Sequence, residues 1–207
     1  MVKSRGGGKY KIPTISISPL AFVFAAILFV DGTVYALITF AAAAVHELGH
    51  LAAALVTRTP ISRVTLLPLG AVITLGEPCP YSADIIVKLA GGGANLLSAG
   101  VCAAARRVFA LSGAADIAAV YFIVCSIALA AINLLPVRTL DGGEALYSLL
   151  CLWKDPHFAE RVMRVISLCA LFPLWVVAGF TLFYTGGNFT LMLLCGWLFF
   201  AAVLQSG

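Results

Sequence analysis

Long apolar runs dominate the chain, and few of them carry a polar face. "MVKSRGGGKYK" is basic and Gly-rich and reads as a tail. "YKIPTISIS" alternates in part and is rich in β-branched residues, which favours a strand. "SPLAFVFAAILFV" then opens as a helix should, with Ser18 placed to cap it and Pro19 in its first turn. It is short against the ~20 residues that cross a bilayer, and Asp31-Gly32 ends it. A cleaved leader has the same basic-then-apolar outline, but a second apolar run follows at once with no cleavage site between.

That second run, 33–57, is long enough to span a membrane as a helix. "PISRVTLLPLGAVITLGEP" differs: two short β-prone runs flank Pro68-Leu69-Gly70, which is hairpin chemistry. Residues 84–109 predict a third helix with "GGGAN" in its first half, and 117–135 a fourth that stops at Pro136. "TLDGGEALYSLLCLW" reads as a loop and a short interfacial helix; 162–184 and 188–204 are the fifth and sixth helices, split by "TGGN". The pattern predicts an all-α polytopic membrane protein. It has about six transmembrane helices and a small membrane-associated β-sheet, made of the N-terminal strand and the hairpin after the second helix. Residues 1–207 form one domain, without a fixed-period repeat or a soluble domain.

Composition agrees. The chain is 62% hydrophobic and 11% charged, and its mean hydropathy is +1.05. A soluble domain is nearer ~25% charged, and one this small has no core large enough for so much apolar surface. The net charge of +4 is scattered and offers nothing to nucleic acid. Of 13 basic residues, all but Arg106 and Arg107 fall on the side of the N-terminus, which predicts cytoplasmic N- and C-termini. The six cysteines stand singly, mostly within apolar runs, as small hydrophobes do.

One apolar run is interrupted. "AAAAVHELGHLAAALV" spends two of the three histidines four residues apart, beside a carboxylate. On a helix, His46 and His50 share a face and can offer two nitrogens to one metal ion, with Glu47 alongside. With 3 His and 9 acidic residues, chance supplies this spacing about 0.002 times. In lipid such residues are costly and are kept for function. A catalytic zinc takes three protein ligands and leaves a position open; it acidifies water, whose proton a nearby carboxylate can take. The third ligand must come from elsewhere. His157 follows Pro156 in a charged loop and reads as solvated, and no motif places a cysteine. Asp141, in "NLLPVRTLDGGEAL", is the better candidate: it closes the fourth helix at the inner depth where His46 and His50 lie. Gly142 and Gly143 let the backbone turn tightly there.

HELGH on an early membrane helix, with "NLLPVRTLDGG" far downstream, resembles the site-2 protease family of intramembrane zinc metalloproteases, in its compact, sporulation-type branch. The resemblance covers nearly the whole chain. It implies one Zn2+ per chain, held by His46, His50 and Asp141, with Glu47 as catalytic base. It matches Asn133 and Pro136 to the polar and turning positions before the aspartate, and Asn95 in "AGGGANLL" to a third-helix asparagine facing the cleft, where it can stabilise an oxyanion. It implies hydrolysis of a peptide bond within or next to the membrane segment of a membrane protein or membrane-associated pro-factor. The active site would lie towards the cytoplasm, with a role open for an inhibitory membrane partner. The sequence departs from the family pattern at Gly92, where proline is usual, at Thr139, where a second proline is expected, and at Glu144, where the branch often has arginine. The reading of residues 1–207 as one protease domain expects no C-terminal regulatory domain like that of longer members.

The rival class is a non-catalytic membrane protein, a metal carrier or an inactive homologue. A carrier strings polar groups along a path, whereas these converge, and an inactive homologue typically lacks Glu47 or a ligand.

Overall fold

The structure, a computed structural model, describes residues 14–17, 34–67, 70–75, 79–185 and 190–204. The first apolar run, 18–30, and the turn at Pro68-Leu69 lie outside the described residues.

Helix α1 (Val34–Val56) is the 23-residue apolar run that carries the histidines. It ends without glycine. Arg58 takes a left-handed φ of 53°, its N–H reaches the Leu55 carbonyl at 3.2 Å, and the Thr59 N–H reaches Ala54 at 2.9 Å. This crossed pair satisfies two carbonyls that a helix end leaves open. Helix α2 (Tyr81–Val108) ends in the same way: Ala110 has φ 45°, and Leu111 N–H reaches the Arg106 carbonyl. Arg106 and Arg107 in its last turn complement the helix dipole. Helix α3 (Gly113–Asn133) is followed by a turn through Pro136 and then by α4 (Asp141–Trp153). Helices α5 (Pro156–Thr185) and α6 (Thr190–Leu204) complete the chain.

Several boundaries differ from expectation: α2 starts at residue 81 instead of 84 and α3 at 113 instead of 117. The fifth helix starts at residue 156 instead of 162, because Asp155 caps it: its Oδ1 accepts the Phe158 N–H at 2.9 Å, and Pro156 suits the first helical position. His157 thus sits exposed on a helical turn. The glycine-rich "DGG" stretch is likewise helical and not a loop.

Among the described residues, four helices are long and apolar enough to cross a membrane: α1, α2, α3 and α5. The protein is an integral membrane protein. Six spans are therefore met for four; α6 has only 15 described residues, short of the usual ~20.

The strands β1 (Thr14–Ile17), β2 (Ile61–Leu67) and β3 (Gly70–Leu75) form one sheet in that order. β1 runs parallel to β2, pairing Thr14 with Arg63 and Ile17 with Leu66. β2 and β3 form an antiparallel hairpin, pairing Leu67 with Gly70, with a bulge between Ile61 and Arg63. A parallel pair needs a long crossover, and α1 lies within it. β3 packs against α1.

Helix α2 is the hub, packed against α1, α3 and α4. Small residues make this possible, since helices in lipid associate through close backbone approach. A Cβ on Gly49 of α1 would lie 2.6 Å from the Ala90 carbonyl and 2.7 Å from the Ala94 methyl of α2. Beside it Ala53, Ala54 and Val87 form one buried cluster, while Val137, Leu171 and Leu198 tie the α3–α4 turn to α5 and α6.

Candidate metal centre

The spacing of four on α1 points the His46 and His50 rings into one contact. Their centroids lie 4.7 Å apart at 81°, and the residues are only 6% and 7% exposed. Asp141, the first residue of α4, comes to them from 91 residues downstream of His50. Its Oδ2 is 3.0 Å from His46 Nε2 and 3.1 Å from His50 Nε2, and the two Nε2 atoms are 3.1 Å apart. The three candidate ligands named from the sequence thus form a near-equilateral triangle. Among the described residues, this is the group of His, Cys, Asp or Glu arranged to hold a metal ion.

Asp141 reaches the triangle because α4 approaches the α3–α4 turn without intervening side chains. A Cβ on Gly142 would run into the Leu134 carbonyl, and one on Gly143 into that of Val137. The glycines are needed for clearance and not, as the sequence suggested, for a tight turn. Burial alone would raise the Asp141 carboxyl. The imidazoles of His46 and His50, with a smaller effect from Lys88, outweigh burial and hold it well below the usual carboxylate range.

The donor set fits a zinc ion. Tetrahedral coordination at about 2.0–2.1 Å separates ligand atoms by about 3.3–3.4 Å; the observed edges are a few tenths shorter. His50 Nδ1 donates to the Val87 carbonyl at 2.7 Å, so in the neutral ring Nε2 carries a lone pair. That lone pair faces a carboxylate oxygen and a second imidazole nitrogen. Such an arrangement calls for a cation between them. Helix α2 also leaves the space: a Cβ on Gly91 would lie 2.8 Å from His46 Nε2 and would overlap the His50 ring.

The other sequence candidates stand around this triangle. Glu47 follows His46 on the same helical turn, half-buried, and is an i, i+3 neighbour of His50. Asn95 of α2 is fully buried, with its amide nitrogen 3.2 Å from His46 Nδ1, behind the ring as seen from Nε2. Asn133 gives its amide N–H to the Leu129 carbonyl of its own helix at 3.0 Å. Pro136 lies in the turn between α3 and α4, where Val137 N–H bonds Leu135 at 2.8 Å. Neither Asn133 nor Pro136 joins the three donors.

Of the three departures, Gly92 sits in an unbroken α2, where a Cβ would press on the Leu134 side chain at 3.1 Å. Thr139 Oγ1 is buried without a hydrogen-bond partner. Glu144 pairs with Lys88 of α2 and lies 3.8 Å from Arg138, so its charge is answered within the fold. Sequence reasoning missed the Val87 carbonyl and Gly91. A backbone carbonyl leaves no mark in sequence; the glycine run at 91–93 was the one available signal.

No family model matches the chain. It is 28% identical over 175 residues to stage IV sporulation protein FB of Bacillus subtilis, a match covering 79% of this chain and 57% of that protein. The chain therefore spans little more than half the length of that relative. Its fold is similar to that of the site-2 protease from Methanocaldococcus jannaschii, with a TM-score of 0.62 at 19% identity, covering 96% of this chain and 94% of the other. The sequence relative and the shared fold support a site-2 protease family assignment.

Proposed function

We propose that this chain is an intramembrane zinc metalloprotease. It hydrolyses a peptide bond within or beside the membrane segment of a membrane protein or membrane-associated pro-factor. One observation carries the reading: two imidazole nitrogens from α1, a helix long enough to span a bilayer, and a carboxylate oxygen from the start of α4 meet within 4.8 Å. His46, His50 and Asp141 would hold the zinc. When bound, zinc supplies Lewis acidity, which acidifies water and polarises a carbonyl. Glu47 then accepts the proton of the attacking water on its carboxylate and returns it to the leaving amine nitrogen. Asp141, with its side chain 18% exposed against 7% and 8% for the histidines, is the most open of the three donors.

A substrate helix has its carbonyls tied in hydrogen bonds and must be drawn out before attack. An extended segment can add to a free sheet edge. β3 packs against the helix that carries His46 and His50, which supports the sheet as the place where such a segment lies. The distribution of basic residues supports cytoplasmic termini, with the site towards the cytoplasm. Residues 1–207 are read as one protease domain.

The test is Glu47→Gln, which keeps volume and hydrogen bonding but cannot take a proton. Purified in detergent, it should retain about one zinc per chain. Co-expressed with single-span and pro-factor substrates, it should lose cleavage by about 10²–10⁴-fold. Cleavage near the wild-type rate would end this mechanism.

A further inference from the structure

We infer that Asn95 is a positioning residue: its Oδ1 accepts the Nδ1 proton of His46 and so turns the His46 Nε2 lone pair towards the metal. This rests on the metal reading above. For His46 Nε2 to act as a ligand in a neutral ring, the proton must sit on Nδ1. An Nδ1–H buried at this depth requires an acceptor. The group facing it is the Asn95 amide, 3.2 Å away. As drawn, the nitrogen faces the ring and Asn95 Oδ1 is buried without a partner. The two ends of an amide are assigned from the hydrogen-bond network, and a rotation of 180° exchanges them. Only the rotated form is compatible with a His46 that binds metal through Nε2.

His50 shows the same arrangement already made, with Nδ1 donating to the Val87 carbonyl at 2.7 Å. Val87 and Asn95 both belong to α2, about two turns apart. This helix therefore fixes the tautomer and rotation of both rings of α1, once through its backbone and once through a side chain. Partners of this kind orient metal-bound imidazoles and typically contribute about 10–100-fold in affinity. Asn95 has no exposed surface and meets His46 on the edge away from Nε2. It is therefore placed to act through His46 and not on the substrate's developing oxyanion.

Two substitutions separate this role from simple helix packing. Asn95→Asp keeps an acceptor and removes the donor; Asn95→Leu keeps the volume and removes both. Zinc affinity is measured on the full chain in detergent by competition with a chromogenic chelator. The Asp variant should stay within about 3-fold of wild type, and the Leu variant should bind about 10–100-fold more weakly. Equal loss in both, or wild-type affinity in the Leu variant, overturns the inference. Should the Leu variant fail to fold, 15N-histidine NMR of the zinc-loaded wild type decides. The proton of His46 should lie on Nδ1, and a proton on Nε2 refutes the inference. Wild-type protein that binds no zinc would instead sink the metal reading itself, so the two failures are distinct.

Discussion

A single methyl group added at Gly91 should weaken zinc binding at the proposed metal centre by about a hundredfold while leaving the fold intact. The Cβ of Gly91→Ala would sit 2.8 Å from His46 Nε2 and inside contact distance of the His50 ring. Ordinary van der Waals contact begins at 3.4 Å, so His46 Nε2 must retreat by the difference of 3.4 and 2.8, about 0.6 Å. Ligand distances in a zinc site hold to about ±0.2 Å, and the displacement exceeds that threefold. Structural zinc binding in small sites is worth about 10–16 kcal/mol over four ligands, or about 3 kcal/mol for each. Loss of one imidazole therefore weakens affinity by about a hundredfold; both rings lie against the methyl. The folded apoprotein suffers less, because overpacking costs about 1–3 kcal/mol and alanine returns about 1 kcal/mol of helix propensity. Gly93→Ala is the control: it lies two residues on in the same helix, with nothing within 4 Å of its Cβ. It should retain zinc and gain about 0.5–1 kcal/mol. Chelator competition and thermal unfolding in detergent measure both. Zinc bound equally tightly by the two variants would refute the placement of α2 against the donor triangle.

Two further outcomes follow from other parts of the molecule. Thr139→Val removes a buried hydroxyl that lacks a partner and preserves its shape, so the melting temperature in detergent should rise, by about 1 kcal/mol of stability, with zinc content unchanged; a fall would mean that the hydroxyl is satisfied. Reporter fusions after residues 32 and 112 should report the exterior and a fusion after residue 158 the cytoplasm, because the basic residues gather on one side; an exterior signal at 158 would reverse the orientation.

Membrane residence, the run of apolar helices and the pairing of His46 with His50 were all legible from the sequence. Each depends on a local property: the hydropathy of a segment, or the four-residue spacing that returns a side chain to the same helical face. Asp141 could be named because its Leu-Asp-Gly-Gly context and the alternation of spans brought it to one depth. Its approach to about 3 Å of both rings could not. That approach depends on how closely α4 comes to the α3–α4 turn, and on the clearance Gly142 and Gly143 leave for the carbonyls of Leu134 and Val137. The part played by α2 was hidden for the same reason. Gly91 was one of a run of glycines in a helix and is a steric vacancy; Asn95 looked like a cleft residue and stands behind a ring; Val87 is identified by a carbonyl that every residue possesses. Hydropathy and periodicity describe one helix at a time. A donor triangle assembled between helices depends on interaxial distances and rotations, which arise only when small residues on facing helices come into contact.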